Sequence, residues 1–239
     1  MITADQLTKV YGNDVVGLDH LTLEVKPGEI FCMLGANGAG KTTTINLFLN
    51  FIEPTSGAAY INGIDVTKYP LEAKKYVAYL GEVVQLYGNF TAMQNLDFFT
   101  KLGGKADVSK KEYRDCLRKV GLPERFFDTK LKKFSKGMRQ RVGLAIVMMK
   151  DTPAILLDEP TSGLDPRGAQ DFLDMLRVLR DQGKAIFMST HDIFRAKEIG
   201  DRVGIMKQGV LAMVLEKEDL EEEDLEKVYL EYMRGWGVD

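Results

Sequence analysis

Cysteine and histidine are scarce in this chain of 239 residues, with two of each. Cys32 and Cys116 lie far apart without CxxC spacing, and Cys32 sits in the apolar run "EIFCMLG". It reads as a small core residue in a reducing compartment rather than half of a disulfide. A basic excess is also lacking. The formal net charge is −3, so there is no general pull towards nucleic acid, and binding RNA or DNA would need a local basic face. Long apolar runs are absent too. "VGLAIVMM" falls far short of the roughly 18 residues that a membrane span needs. The start, "MITADQLTKVYG", lacks the basic-then-apolar layout of a signal peptide. If this protein works at a membrane, another chain does the spanning. Internal repeats and low-complexity linkers are missing as well.

What remains is a chain with 45% hydrophobic and 28% charged residues, the composition of a soluble globular protein. Its length fits one large domain, or a domain with a small lobe. Short apolar strands alternate with helical patterns. "LTLEV" (21–25) alternates, and "IFCML" (30–34) is a buried-strand run without a polar break. "AAYIN" (58–62), "YVAYL" (76–80), "AILLD" (154–158) and "AIFMS" (185–189) also read as strands. Helices are expected over 41–50, 93–102, 109–120, 136–150, 166–182 and 192–199. Pro166 stands at a helix start, where its missing N–H costs nothing. Val142, Ala145, Ile146 and Met149 follow the spacing of one buried helix face. The alternation predicts an α/β fold with a mainly parallel core sheet covered on both sides. The early part, 1–62, is richer in short strands and adds antiparallel structure. In the acidic tail, 216–239, Leu225, Val228, Tyr229, Tyr232 and Met233 recur at helical spacing, which predicts a terminal helix with a solvated acidic face.

Three motifs carry chemistry. "GANGAGKT", Gly35 to Thr42, fits G-x-x-x-x-G-K-[ST] between a buried strand and a helix. Gly35, Gly38 and Gly40 let the backbone of Ala36, Asn37 and Ala39 curl its N–H groups towards phosphate oxygens. The helix starting at Lys41 aims its positive end there, and Thr43 lies in its first turn. Lys41 supplies charge for the β- and γ-phosphates, and Thr42 offers a hydroxyl to Mg²⁺. "AILLDEP", 154–160, ends an apolar strand in two carboxylates at the sheet's carboxyl edge, where open α/β sheets bind ligands. Asp158 can hold Mg²⁺ and Glu159 can polarise an attacking water; with the phosphate loop they provide the parts that phosphoryl transfer needs. "MSTHD", 188–192, ends another buried strand in His191, whose imidazole could contact the γ-phosphate or the water. His20 lacks such a context and is left as structural.

The order "GANGAGKT", "FSKGMRQR", "AILLDEPTSGLDP", "STHD" resembles the nucleotide-binding subunit of an ATP-binding cassette (ABC) transporter, over about residues 2 to 215. The resemblance implies a P-loop ATPase that binds ATP and Mg²⁺, with a helical subdomain at about 84–150 inserted in its core. It also implies a head-to-tail dimer with a second copy or a related subunit. In the family the signature segment faces the partner's ATP; here that segment is Ser135, Lys136, Gly137 and Met138. Ser135 and Gly137 would stand at a helix N-terminus aimed at the partner's γ-phosphate. The usual signature is LSGGQ, and the "SKGM" variant resembles the exporter branch called ABC-2. Tyr11 stands where the family stacks an aromatic ring on adenine. Asp165, in "SGLD", resembles the loop linking the two ATP sites.

The family's metal-contacting glutamine falls on Glu82 when "YLGE" is set against the usual YLPQ, which changes the local charge. Leu86, Tyr87 and Phe90 are candidates for the groove that docks a transmembrane subunit. The implied protein is an ATPase that powers transport through separate permease chains, without nucleic acid. It would sit in the cytoplasm on the inner face of the membrane. A soluble ABC ATPase acting on ribosomes or DNA usually brings two cassettes or a long coiled coil, and neither fits here. An inactive regulatory cassette conflicts with Lys41, Asp158, Glu159 and His191 all being present.

Overall fold

The computed structural model describes residues 1–222 and 225–234. Its strands are β1 (Ile2–Tyr11), β2 (Val15–Val25), β3 (Glu29–Leu34), β4 (Ser56–Ile61), β5 (Ile64–Asp65), β6 (Val77–Leu80), β7 (Ala154–Asp158), β8 (Ala185–Thr190), β9 (Arg202–Lys207) and β10 (Val210–Glu216). Its helices are α1 (Lys41–Phe48), α2 (Pro70–Ala73), α3 (Ala92–Leu102), α4 (Lys110–Lys119), α5 (Lys136–Lys150), α6 (Pro166–Asp181), α7 (Ile193–Ile199), α8 (Lys217–Glu222) and α9 (Leu225–Arg234).

Two sheets form. An antiparallel one has the order β2-β1-β4-β5, and a six-stranded one has the order β10-β9-β3-β8-β7-β6. In the second sheet every pairing is parallel except β9 with β10. The uninterrupted apolar runs follow from burial on both faces. Along β3, Ile30, Cys32 and Leu34 point into one core, shared with α5, α6 and α7. Phe31 and Met33 point into the other, shared with the antiparallel sheet and α1. In that second core Phe187 of β8 stacks on Phe31 at 5.9 Å and meets Phe48 edge-on at 5.8 Å. Aromatic pairs at these separations add to simple area burial.

The helices α3, α4 and α5 lie between β6 and β7 in the chain and pack on one another. Local signals start them. Thr91 with Gln94, and Ser109 with Glu112, form reciprocal capping boxes at α3 and α4. After β10, Leu225 of α9 is buried, and Val228 and Tyr229 pack on the first core. The expected terminal helix is therefore seated on its apolar stripe. Its remaining tail positions, 223–224 and 235–239, and the Met233 side chain lie outside the described residues. Among the described residues no helix is long and apolar enough to cross a membrane.

Candidate functional site

Parallel register brings three strand ends together. Leu34 of β3 pairs with Thr190 of β8, and Asp158 of β7 pairs with Ser189 of β8. The carboxyl ends of these strands release the glycine-rich loop, the Asp158-Glu159 pair and His191 at one edge. There the loop from Ala36 to Gly40, the start of α1, Tyr11, Glu82, Asp158 and Glu159 line a cavity of about 420 Å³.

The loop is held from both sides. Gly35 N–H donates to Thr190 O at 3.2 Å, and Gly209 N–H donates to Ala39 O at 2.8 Å. Two glycines are sterically required. A Cβ at Gly35 would lie 2.5 Å from Met206 O. Gly40 has φ +112°, and a Cβ there would lie 2.6 Å from Gly17 O. Lys41 is buried at 5% exposure. Its Nζ donates to Gly35 O at 2.6 Å and to Ala36 O at 3.2 Å, and lies 3.3 Å from Glu159 Oε1. A buried cation thus rests on carbonyls and one carboxylate, at the place where the loop leaves room for an anion.

Behind the loop runs a chain of oxygens. Thr42 Oγ1 donates to Asp158 Oδ2 at 3.1 Å, and Ser189 Oγ donates to Asp158 Oδ1 at 2.5 Å. Among the described residues no three His, Cys, Asp or Glu side chains cluster into a metal site. The Thr42–Asp158 pair offers hard oxygen donors only. That suits a magnesium ion, which takes few protein ligands and completes its shell from phosphates and water.

Glu159 follows Asp158 in the left-handed region, at φ +47°. A non-glycine residue there carries strain that persists only when its surroundings fix it. They do: Glu159 N–H donates to Ser189 Oγ at 3.0 Å and Ser189 O at 3.2 Å. The turned backbone puts Glu159 Oε2 2.9 Å from His191 Nδ1. Glu159 Oε1 is buried without a hydrogen-bond donor, its contact with Lys41 lacking that geometry. A carboxylate held between an ammonium and an imidazole, with an unused lone pair, can accept a proton from water.

Tyr11 lies against Gly17 and brings its hydroxyl within 3.3 Å of Thr43 Oγ1, at the mouth of the cavity, with a half-exposed ring. Glu82 lines the same cavity. It accepts from Ser162 Oγ at 3.1 Å and lies 3.6 Å from Lys136 Nζ.

The "SKGM" segment lies elsewhere. Ser135 caps α5, accepting from Met138 N–H at 3.3 Å. Asp165 caps α6, accepting from Gly168 N–H at 2.7 Å, with Pro166 in the first turn. Ser135, Lys136, Gly137, Met138 and Asp165 line a separate cavity of about 430 Å³ that shares no residue with the first. The structure thus brings the loop, Asp158, Glu159 and His191 together and leaves the signature outside that group. His20 is exposed, and its ring pairs with Asp19. Ser189 and Gln140 are site residues that motif reading passed over. Ser189 stood inside the quoted "MSTHD", a buried polar side chain at a strand end. Gln140 stood four residues after Lys136, on the same face of α5, and its Nε2 donates to Glu82 O at 3.2 Å.

Known proteins match this architecture. The ABC transporter family profile covers residues 18–162. The bacitracin transport ATP-binding protein BcrA of Bacillus licheniformis is 37% identical over 236 residues, 97% of this chain and 74% of that protein. The linearmycin resistance ATP-binding protein LnrL of Bacillus subtilis (strain 168) is 32% identical over 221 residues, 92% of this chain and 70% of that protein. The dimeric post-hydrolysis structure of the ATP-binding cassette MJ0796, bound to ADP and Pi, has a TM-score of 0.83 at 28% identity. That match covers 91% of this chain and 99% of that one. The chain belongs to the ABC transporter family and is an ATP-binding cassette ATPase.

Proposed function

We propose that this chain is the ATPase subunit of an exporter of the ABC-2 kind. It would hydrolyse MgATP in a head-to-tail dimer and drive separate membrane-spanning permease chains from the cytoplasmic face. The observation that carries the reading is the separation of the two cavities. The phosphate loop from Ala36 to Thr43 lines one with Asp158 and Glu159, the latter held by His191; Ser135 and Gly137, at a helix N-terminus, line another. A signature whose Ser135 and Gly137 line a cavity of their own suits a partner's nucleotide. The relatives named for bacitracin transport and linearmycin resistance, and the dimeric cassette bound to ADP and Pi, support the same reading.

In this reading the phosphates lie on the N–H groups from Ala36 to Thr43, and Tyr11 stacks on adenine. Lys41, now paired with Glu159, turns to the β- and γ-phosphates and leaves Glu159 free to act. Thr42 and Asp158 would hold Mg²⁺, with Glu82 as a further oxygen donor, and the bound ion would supply charge neutralisation at the phosphates. Glu159 takes the proton of the attacking water as the water oxygen bonds to the γ-phosphorus and the bond to ADP breaks. His191 holds that carboxylate in place. Ser135, Gly137 and Met138 serve the partner's γ-phosphate, and Asp165 links the two sites. We also propose a cassette at 1–215 with a helical arm at about 84–150 and a terminal acidic tail. The exposed cluster of Tyr87, Phe90 and Phe98 on that arm, with ring centroids 5.1–6.3 Å apart, is its permease-docking face.

Co-expression with a candidate membrane-spanning permease chain tests the proposal. A complex should form, and its ATP turnover should vanish in Lys41→Ala. Steady turnover with association to ribosomes or DNA, and to no membrane chain, would overturn it.

A further inference from the structure

The chain carries a third carboxylate at the nucleotide cavity. Glu82 lines it together with Asp158 and Glu159, and a polyphosphate entering that cavity is itself strongly anionic. An extra fixed negative charge there opposes binding unless something cancels it.

A candidate for that cancellation lies in the signature helix. Lys136 Nζ is 3.6 Å from Glu82 Oε1 and 3.5 Å from Ser162 Oγ, while Ser162 donates to the same Glu82 oxygen at 3.1 Å. The stem of Lys136 runs over Gly163, where a Cβ would sit 3.3 Å from its Cδ. One turn further along α5, buried Gln140 donates to the Glu82 carbonyl. Residues four apart share a helix face, so one face of α5 grips Glu82 twice, by its backbone and by its carboxylate. Relative to the glutamine of YLPQ and the glycine of LSGGQ, the chain has gained one negative and one positive charge, and the two are neighbours.

We propose that Lys136 is a positioning residue acting within its own chain: its ammonium neutralises and orients the Glu82 carboxylate at the nucleotide cavity. The acidic loop and the cationic signature are then one paired feature, joining α5 to the Ser162–Gly163 loop. This rests on the nucleotide-site reading above. The role differs from that of Ser135 and Gly137, which face a partner.

The test is equilibrium binding of a fluorescent ATP analogue to the full chain in EDTA at low salt, where no metal is bound. Lys136→Met should weaken binding about three- to tenfold, the effect expected of one uncompensated surface charge near a polyphosphate, and high salt should erase the difference. Lys136→Arg should stay within about twofold of the wild type. In a Glu82→Gln background, Lys136→Met should have no further effect, because the charge to be cancelled is gone. Equal losses in both backgrounds, or none in either, would overturn the proposal. The nucleotide-site reading fails separately, if Lys41→Ala binds the analogue as tightly as the wild type.

Discussion

Glu159 and His191 meet through a 2.9 Å contact between Oε2 and Nδ1, across adjacent strand ends and from a glutamate backbone held at φ +47°. A left-handed glutamate costs about 1–3 kcal/mol. Here the two N–H bonds to Ser189 hold it, and the result is a carboxylate aimed into the cavity instead of along the strand.

Replacing that carboxylate by an amide keeps the shape and removes the base. Glu159→Gln is expected to bind ATP as the wild type does and to hydrolyse it slower by about two to four decades, with an ATP-bound dimer accumulating. Single-turnover phosphate release measures this, and near-normal turnover would remove Glu159 from the role. His191→Ala should also slow hydrolysis at unchanged ATP affinity, since it frees one side of Glu159.

Ser189 is fully buried and divides its bonds between Asp158 and the Glu159 N–H. In Ser189→Ala the Glu159 turn keeps the Ser189 carbonyl, whereas Asp158 Oδ1 loses its only serine donor. Asp158 Oδ1 keeps only the long 3.4 Å bond from Thr42 Oγ1; losing a hydrogen bond to a charged group costs about 1.5–3 kcal/mol, and each kcal/mol lowers the melting temperature by about 2–4 °C at this size. Thermal unfolding reads that loss. A magnesium titration of hydrolysis should shift to higher concentration as Asp158 loosens.

Tyr11 separates ring from hydroxyl. Tyr11→Phe removes only the contact with Thr43 and should bind ATP within about twofold of the wild type. Tyr11→Ala removes the ring proposed to stack on adenine, and such stacking is worth about 1–3 kcal/mol per base, so binding should weaken about tenfold or more. Equal affinities in Tyr11→Ala and the wild type would place adenine elsewhere.

Both thiols are buried, and burial pushes the Cys116 thiol up to about 11 and the Cys32 thiol higher still. At pH 8 neither supplies appreciable thiolate. Iodoacetamide should leave the native protein unmodified and label both cysteines once denaturant unfolds it; rapid labelling of the native chain would contradict the packing.

Much of this was legible in the sequence because the signals are local. The runs in β3, β7 and β8 are apolar throughout since both faces are buried, and the glycine-rich loop carries its own geometry in its residue types. β1 was harder. Its pairing slips between Ala4 and Leu7 and again between Leu7 and Lys9, with Gln6 at φ +46°, so the alternation is broken. β10 lies half-buried at the sheet's edge, with a slip between Leu211 and Met213, and gives a weak pattern for the same reason. Within the site, the motifs name Asp158, Glu159 and His191. The Ser189 bridge and the Lys136–Glu82 contact join residues 31 and 54 positions apart, which only the folded arrangement brings together.

The central claim is that the signature serves a partner's nucleotide, and mixed dimers test it most directly. On that claim Gly137→Glu would place a carboxylate against the partner's γ-phosphate, where like charges repel. Lys41→Ala removes the ammonium that, in the proposed reading, anchors phosphates in its own chain. With Glu159→Gln added to both chains to block hydrolysis, the readout is ATP occluded per dimer. If the signature acts across the dimer, the mixture holds one site free of both lesions, and about one ATP should be trapped per mixed dimer, with little in either mutant alone. If the signature serves its own chain, every site carries a lesion and mixing rescues nothing, which would contradict the head-to-tail account.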